Sequence, residues 1–419
     1  MRRVLPLLLL VILLLPSRPA IGQAAAPSPA TPHVKLGIDT LREMDYAPLL
    51  GKRVGLVANP ASVDGRLRST VDILHEAAQV NLVALYGPEH GVYGDEHAGD
   101  KVEDRTDPKT GLPVFSLYGA TRKPTPEMLA NIDVLVFDLQ DIGSRSYTYI
   151  STMELCLEAC AEQGKAFMVL DRPNPLGGER VEGPMLESDF ESFIGALPVP
   201  YVHGMTMGEL ALMLREKQYP QFRQLQVVPM QGWRRAMVWE DTGLTWVPTS
   251  PHIPHASSTW AYAATGISGE LMAYSNGVGY TLPFQIVGSP TTDGEALAAK
   301  LRAHWPEGSG VVFRPIRFKP FYATFAGETC QGVQIQADPR TAPSLVEINF
   351  RLLEAVGGPA VIANATEARH AMFDKASGTD AARKGLASGE DLGPLLEQWR
   401  AECERFRQER AKWLIYGEK

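Results

Sequence analysis

Between Val34 and Ala263, short apolar runs alternate with stretches whose apolar residues recur at helical spacing. Arg53-Val-Gly-Leu-Val-Ala58, Asn81-Leu-Val-Ala-Leu-Tyr86, Asp133-Val-Leu-Val-Phe137 and Ala166-Phe-Met-Val-Leu170 are mainly apolar and bounded by turn residues. Such runs suit strands covered on both faces, because a strand with one wet face would alternate apolar and polar positions. Helical patterns fill the intervals at about Thr70 to Ala78, Pro126 to Asn131 and Thr148 to Gln163. The last stops at Gly164, a residue that accepts the left-handed conformation with which helices commonly end. Thr206-Met-Gly-Glu209, ahead of Leu210, has the spacing of a capping box and opens another helix. Strand and helix in alternation predict βαβ units and an α/β fold with a doubly wound, mostly parallel sheet.

From about Gly266 the pattern changes. Glycine and aromatic residues are frequent up to Gly288, a helix is expected from Gly294 to His304, and strands at Val311 to Phe325 and Gly332 to Gln336. A helix-rich tail follows, with its longest piece at Gly393 to Trp413. The change places a domain boundary near residue 265, dividing a larger domain (34–265) from a smaller α+β domain (266–419).

The first residues follow a different logic. Arg2 and Arg3 precede an apolar run from Val4 to Leu15, Pro16 breaks it, and small residues follow around Ala20 to Ala26. A charged start, an apolar middle too short to span a bilayer and a small-residue exit are the parts of a secretory signal peptide. It is expected over residues 1–22, with a flexible leader at 23–33, and predicts a periplasmic or secreted protein with no membrane span after its removal. Composition agrees with an ordinary globular chain, 45% apolar and 21% charged, and the formal charge of −8 argues against nucleic acid as a partner. Cys156 and Cys160, four apart in a helical pattern, rarely meet disulfide geometry and read as buried small hydrophobes. A long-range bridge between Cys330 and Cys403 is left open.

In open parallel sheets, ligands bind beyond the carboxyl ends of the strands. The first candidate loop is Gly87-Pro-Glu-His-Gly-Val-Tyr-Gly-Asp-Glu-His97, which sets Glu89, His90, Asp95, Glu96 and His97 among glycines that permit close approach of a ligand. The second is Asp138-Leu-Gln-Asp-Ile-Gly-Ser-Arg-Ser-Tyr-Thr-Tyr149. Asp138 stands directly at a strand end, and Asp141 suits a cleft or a helix cap equally. Arg145, Tyr147 and Tyr149 offer donors to hydroxyls or a carboxylate. In the third, Asp171-Arg-Pro-Asn-Pro-Leu-Gly-Gly178, prolines and glycines fix an irregular loop, and Asp171, Arg172 and Asn174 either bind ligand or hydrogen-bond the loop itself. The fourth, Tyr201-Val-His-Gly204, carries His203, and a lone histidine so placed is more often structural than catalytic.

Two carboxylates flanking a cleft suit glycoside hydrolysis, one as proton donor and the other as nucleophile or base. Burial raises a carboxyl pKa toward neutrality, as a general acid requires. No H-E-x-x-H spacing occurs, so metal ligands would have to come from scattered loops, and no metal site is expected. A G-x-S-x-G elbow and a phosphate-cradling G-x-x-x-x-G-K-[ST] are both absent. After the first strand the chain reads Ala58-Asn-Pro-Ala61 in place of a dinucleotide-binding glycine loop.

At these loops the sequence resembles the NamZ-type exo-β-N-acetylmuramidases, bacterial glycoside hydrolases acting on cell-wall muramic acid. The matching motifs are Gly37-Ile-Asp39, Gly55-Leu-Val-Ala-Asn-Pro60, Gly87-Pro-Glu-His-Gly91, Asp138-Leu-Gln-Asp-Ile-Gly-Ser-Arg145, Asp171-Arg-Pro-Asn-Pro175, His203-Gly-Met-Thr206, Thr245-Trp-Val-Pro248, Ser250-Pro251 and Phe373-Asp374. The resemblance implies a Rossmann-like N-terminal domain, a smaller C-terminal domain and a cleft between them. It also implies cofactor-free release of terminal N-acetylmuramic acid from a peptidoglycan-derived sugar or muropeptide, with Glu89 as catalytic carboxylate. Asp138 and Asp141 are added here as further catalytic candidates, and His90, Arg145, Tyr147, Asp171, Arg172, Asn174 and His203 as residues lining the sugar site. Where the family carries Glu-Gly-Thr-Asn…Ser-Glu-Gly-Arg-Gly…Arg-Pro-Phe, this chain has Glu270-Leu-Met-Ala273, Ser275-Asn-Gly-Val-Gly279 and Leu282-Pro-Phe284. Glu270 is kept and Asn276 stands in place of a glutamate, and both join the candidate binding residues. Two arginines become Val278 and Leu282, which do not replace a bidentate contact to the lactyl carboxylate. A different sugar, or a silent periplasmic binding protein, therefore stands beside the muramidase expectation.

Overall fold

The computed structural model describes residues 34–96 and 103–417, so the expected signal peptide, the whole leader and His97 lie outside the described residues. In chain order the first strands are β1 (Arg53–Val57), β2 (Asn81–Gly87), β3 (Arg105–Thr106), β4 (Pro113–Ser116), β5 (Val134–Phe137) and β6 (Ala166–Leu170). An antiparallel ribbon of β7 (Glu182–Met185) and β8 (Pro200–Val202) follows, and then β9 (Leu225–Val228). All but the ribbon form one sheet of order β3-β4-β2-β1-β5-β6-β9, parallel throughout except for the edge strand β3. From β4 to β9 this is the Rossmann order, which reverses direction between β1 and β5 and opens a crevice there.

The four apolar runs are β1, β2, β5 and β6, and every residue of β5 is buried. β4 and β9 escaped the sequence pattern. Each lies toward one side of the sheet and mixes exposed and buried positions, so neither produces a continuous apolar run. The expected helices are present as Thr70–Glu76, Pro126–Leu129 and Tyr149–Gln163, the last capped by Gly164 at φ 64°. Thr206 and Glu209 form their capping box at the head of the helix Met207–Gln218.

The second sheet is antiparallel, with β10 (Ile286–Ser289), β11 (Val311–Phe318) and β12 (Cys330–Ala337) in the order β10-β12-β11. β11 stops at Phe318, short of the expected Phe325, because Ala323 and Phe325 turn into the left-handed region. The tail helix runs Gly393–Glu409 and tightens into a short turn at Arg410–Trp413. The helix Ser257–Gly269 carries the chain from the first sheet toward the second, and its Ala261, Ala263, Ala264 and Ile267 are shut from solvent. One apolar core runs from Phe137 and Phe167 of the large sheet through Trp260 to Phe313, Val333 and Trp399. All four cysteines are free and buried.

Arg145 belongs to this framework. Its guanidinium is fully buried, with Nη1 donating to the Pro184 and Val199 carbonyls (2.8 Å each) and Nη2 to those of Ala376 (3.3 Å) and Ser377 (2.6 Å). Burial lowers its pKa to about 10. The expectation that Arg145 meets substrate is corrected: the side chain clamps the β5 loop to the ribbon and to the end of the helix Glu367–Ser377. Replacing it by lysine, a single ammonium without the planar fork, strands some of those carbonyls. Arg145→Lys is expected to lose about 2–4 kcal/mol in urea unfolding; an unchanged midpoint and slope would remove the clamp from the account.

Candidate active site

At the crevice between β1 and β5 the loops are tied together by side chains. Asn59, just past β1, donates through Nδ2 to the Tyr149 hydroxyl (2.8 Å) and the Thr249 carbonyl (3.2 Å). Thr148, at the head of the helix after β5, donates from Oγ1 to Glu89 Oε2 at 2.8 Å. Glu89 stands half-buried just beyond the end of β2, and Tyr118 hydrogen-bonds it as well. Burial and the adjoining Glu89 charge push the Tyr118 phenol above its ordinary pKa, opposed by Arg122. The next residue, His90, is buried at φ 70°, with Nδ1 at 2.9 Å from the Glu96 carbonyl.

Asp141 Oδ2 accepts the Gly143 amide at 2.7 Å, while its buried Oδ1 has no hydrogen-bond partner among the described residues. His203 Nδ1 accepts the Met205 amide (3.1 Å), which leaves the proton on Nε2, 3.6 Å from Asp141 Oδ2. Behind these groups stands a wall of phenols. Tyr147 packs edge-on against Tyr149 (4.8 Å between centroids) and Tyr262 (6.2 Å), and its hydroxyl pairs with Thr249 Oγ1 at 2.7 Å. Burial drives the Tyr149 and Tyr262 pKa values far up, and Glu89 and Asp141 add to both. Glu270 adds to that of Tyr262. Three carboxylates from separate segments therefore act on one tyrosine wall. Glu270, at the end of the helix Ser257–Gly269, is itself raised by burial, against the opposing charge of Arg369. Asn276, half-buried nearby in sequence, accepts the Val278 amide weakly (3.4 Å).

Other candidates are consumed by the framework. Asp138 has no exposed surface: Arg172 Nε and Nη2 hold its two oxygens at 2.6 and 2.9 Å, and Thr70 Oγ1 donates to it at 2.6 Å. Asp171 accepts from Thr206 Oγ1 (2.7 Å), the Gly208 amide (2.9 Å) and the Tyr416 hydroxyl (2.6 Å). Asn174 donates to the Met205 carbonyl and accepts the Leu176 amide, both at 3.0 Å. For Asp138, Asp171, Arg172 and Asn174 the structure corrects the expectation of substrate contact. At a strand end, a carboxylate that knits loops and one that meets ligand look alike in sequence. Thr148, Asn59, Tyr118 and Tyr262 were not singled out; Asn59 had a signal in its place directly after β1, whereas Tyr118 and Tyr262 had none.

The family model of the N-terminal part of exo-β-N-acetylmuramidase NamZ matches residues 54–257, and that of its C-terminal part matches residues 260–416. The chain belongs to the NamZ family. Its relationship makes it a glycoside hydrolase. The peptidoglycan β-N-acetylmuramidase NamZ of Bacillus subtilis (strain 168) is 42% identical over 386 residues, covering 92% of each chain. Two DUF1343 family proteins of Bacteroides fragilis NCTC 9343 share the fold in crystal structures. One superposes with a TM-score of 0.85 at 48% identity, the other with 0.72 at 27%, each covering 92% of this chain and 99% of its own.

Two outcomes follow from the local chemistry. Thr148→Val keeps the shape and removes one donor to Glu89, so turnover should fall roughly three- to tenfold at unchanged melting temperature; full turnover would show that this bond does not position Glu89. Burial raises the Asp171 pKa to about 6 from 3.8, so the native state holds this proton more tightly than the unfolded chain. Its contribution to stability is complete below about pH 4 and is lost toward pH 6, on the order of 1–3 kcal/mol. The difference in unfolding free energy between wild type and Asp171→Asn should change across that window; a flat difference refutes it.

Proposed function

We propose that this protein is an exported exo-β-N-acetylmuramidase that removes N-acetylmuramic acid, or a related amino sugar, from the ends of peptidoglycan fragments, with Glu89 as general acid/base. The observation carrying the proposal is Glu89 itself, held by Thr148 and Tyr118 at the mouth of the β1–β5 crevice and sharing a tyrosine wall with Asp141 and Glu270. Glycosidic cleavage needs a proton on the departing oxygen and negative charge near the sugar carbon that becomes cationic. Glu89 is only half-buried, whereas Asp141 offers from a buried position an oxygen with no hydrogen-bond partner among the described residues. Glu270, its carboxyl raised by burial, supplies a third acidic group beside the same wall. His203 Nε2 lies 3.6 Å from Asp141 Oδ2. The 42% identity to the Bacillus subtilis peptidoglycan β-N-acetylmuramidase supports the choice of muramic acid. Arg2, Arg3, the apolar run and the small residues after it support export to the periplasm or beyond.

A second reading keeps the chemistry and changes the sugar. Val278 and Leu282 pack half-buried against apolar neighbours, so neither supplies a cation to a lactyl carboxylate. An N-acetylglucosaminide cleaved faster than the matching N-acetylmuramide would favour it. Glu89→Gln is expected to lower kcat/KM at least about 1000-fold without changing the melting temperature. Unchanged release of the terminal sugar would take Glu89 out of the mechanism.

A further inference from the structure

The hairpin joining β11 to β12 holds two large aromatic rings in water. Phe321 and Tyr322 are 74% and 54% exposed, and clustered exposed apolar groups mark surfaces that meet a ligand. The tip is tightly fastened. The Phe321 amide donates to the Gly279 carbonyl at 2.7 Å, Gly327 to Pro320 at 2.9 Å and Glu328 to Phe325 at 3.0 Å. Ala323 and Phe325 sit at φ 63° and 61°, where a residue with a side chain costs about 1 kcal/mol or more. Gly279 lies at φ 88°, and a Cβ there would collide with the backbone of Tyr322. The hairpin thus closes on residues 276–284 at a distance that glycine permits and other residues do not. On that support the Phe321 ring stacks over Tyr280 (5.9 Å, 24°), and the Tyr322 hydroxyl pairs with His252 Nε2 at 2.9 Å.

Two lines of contact lead from these rings to the carboxylates. Tyr280 belongs to the segment that begins at Glu270 and ends at Phe284, whose ring packs edge-on against Tyr262 at 4.9 Å. On the other side His252 follows Thr249, which accepts the Tyr149 hydroxyl at 2.6 Å and pairs with that of Tyr147 at 2.7 Å. The exposed rings therefore rest on two segments that pack against the tyrosine wall.

We infer that Phe321 and Tyr322, backed by Tyr280, form a platform for the pyranose on the leaving-group side of the scissile bond; this rests on the glycosidase reading above. A pyranose presents axial C–H groups on its faces and hydroxyls around its rim. The faces match the rings, and the Tyr322 hydroxyl and His252 supply polar partners at the edge. An exo-acting site encloses the terminal sugar, which suits the buried carboxylates and tyrosines. The remainder of the chain leaves toward solvent, where only an exposed surface meets it.

The test uses the full-length protein with Glu89→Gln, Phe321→Ala/Tyr322→Ala and Phe321→Trp variants. The substrate is a β-linked N-acetylmuramyl–N-acetylglucosamine disaccharide, and free N-acetylmuramic acid is the control ligand. The double variant should raise KM for the disaccharide about tenfold with kcat nearly unchanged. Calorimetry in the Glu89→Gln background should show the same loss for the disaccharide and none for the monosaccharide, and Phe321→Trp should keep near wild-type KM. An unchanged disaccharide KM, or equal weakening of both ligands, overturns the platform; if Glu89→Gln is then inactive, the glycosidase reading survives. Wild-type protein that releases no sugar overturns both.

Discussion

Asp138 and Arg172 are both shut away from water, and neither charge would be tolerated there alone. Removing one partner of such a pair typically costs 3–5 kcal/mol, because the other is left as an uncompensated buried ion. What the pair joins matters more than what it contributes. Asp138 ends β5 and Arg172 follows β6, while Thr70 and the Val63 carbonyl, which complete the network, come from the segment after β1. Three crossover connections are thereby locked at the carboxyl edge of the sheet. Asn59, Asp141, Thr148 and Tyr149 hang from two of them.

The fixed edge explains a division among polar residues that the sequence alone leaves undivided. Asp138, Asp171 and Arg172, directly after β5 and β6, lie where loops are knitted together without water and are absorbed there. Glu89, equally near the end of β2, lies outside that network and stays half-buried. The apolar runs disclosed the interior strands because burial on both faces imposes composition. β4 and β9 lack that imposition, and they were legible only in the structure. Arg145 was misjudged for a related reason: a guanidinium that binds four carbonyls has no sequence mark to separate it from one awaiting a carboxylate ligand.

The place of Glu89, in a glycine-rich loop just past a parallel strand, was legible from the sequence pattern. Its surroundings were not. Tyr118 and Tyr262 approach through long-range packing, one from the connection after β4 and the other from the helix that leads to the second sheet. Tyr118 hydrogen-bonds Glu89, whereas the Tyr262 hydroxyl pairs with Ser146. Both phenols keep their own protons, since burial pushes their pKa values further above neutrality.

The segment 270–284 now has a physical place in this scheme. On one side its Glu270 joins the field at Tyr262, and on the other its Gly279 and Tyr280 receive the β11–β12 hairpin. Thr148 bonds Glu89, and the Asp138–Arg172 pair bonds the segment after β1. Val278 and Leu282 lie half-buried against apolar neighbours in the bridging 270–284 piece of chain, whereas Asp138, Arg172 and Thr148 belong to connections of the large sheet.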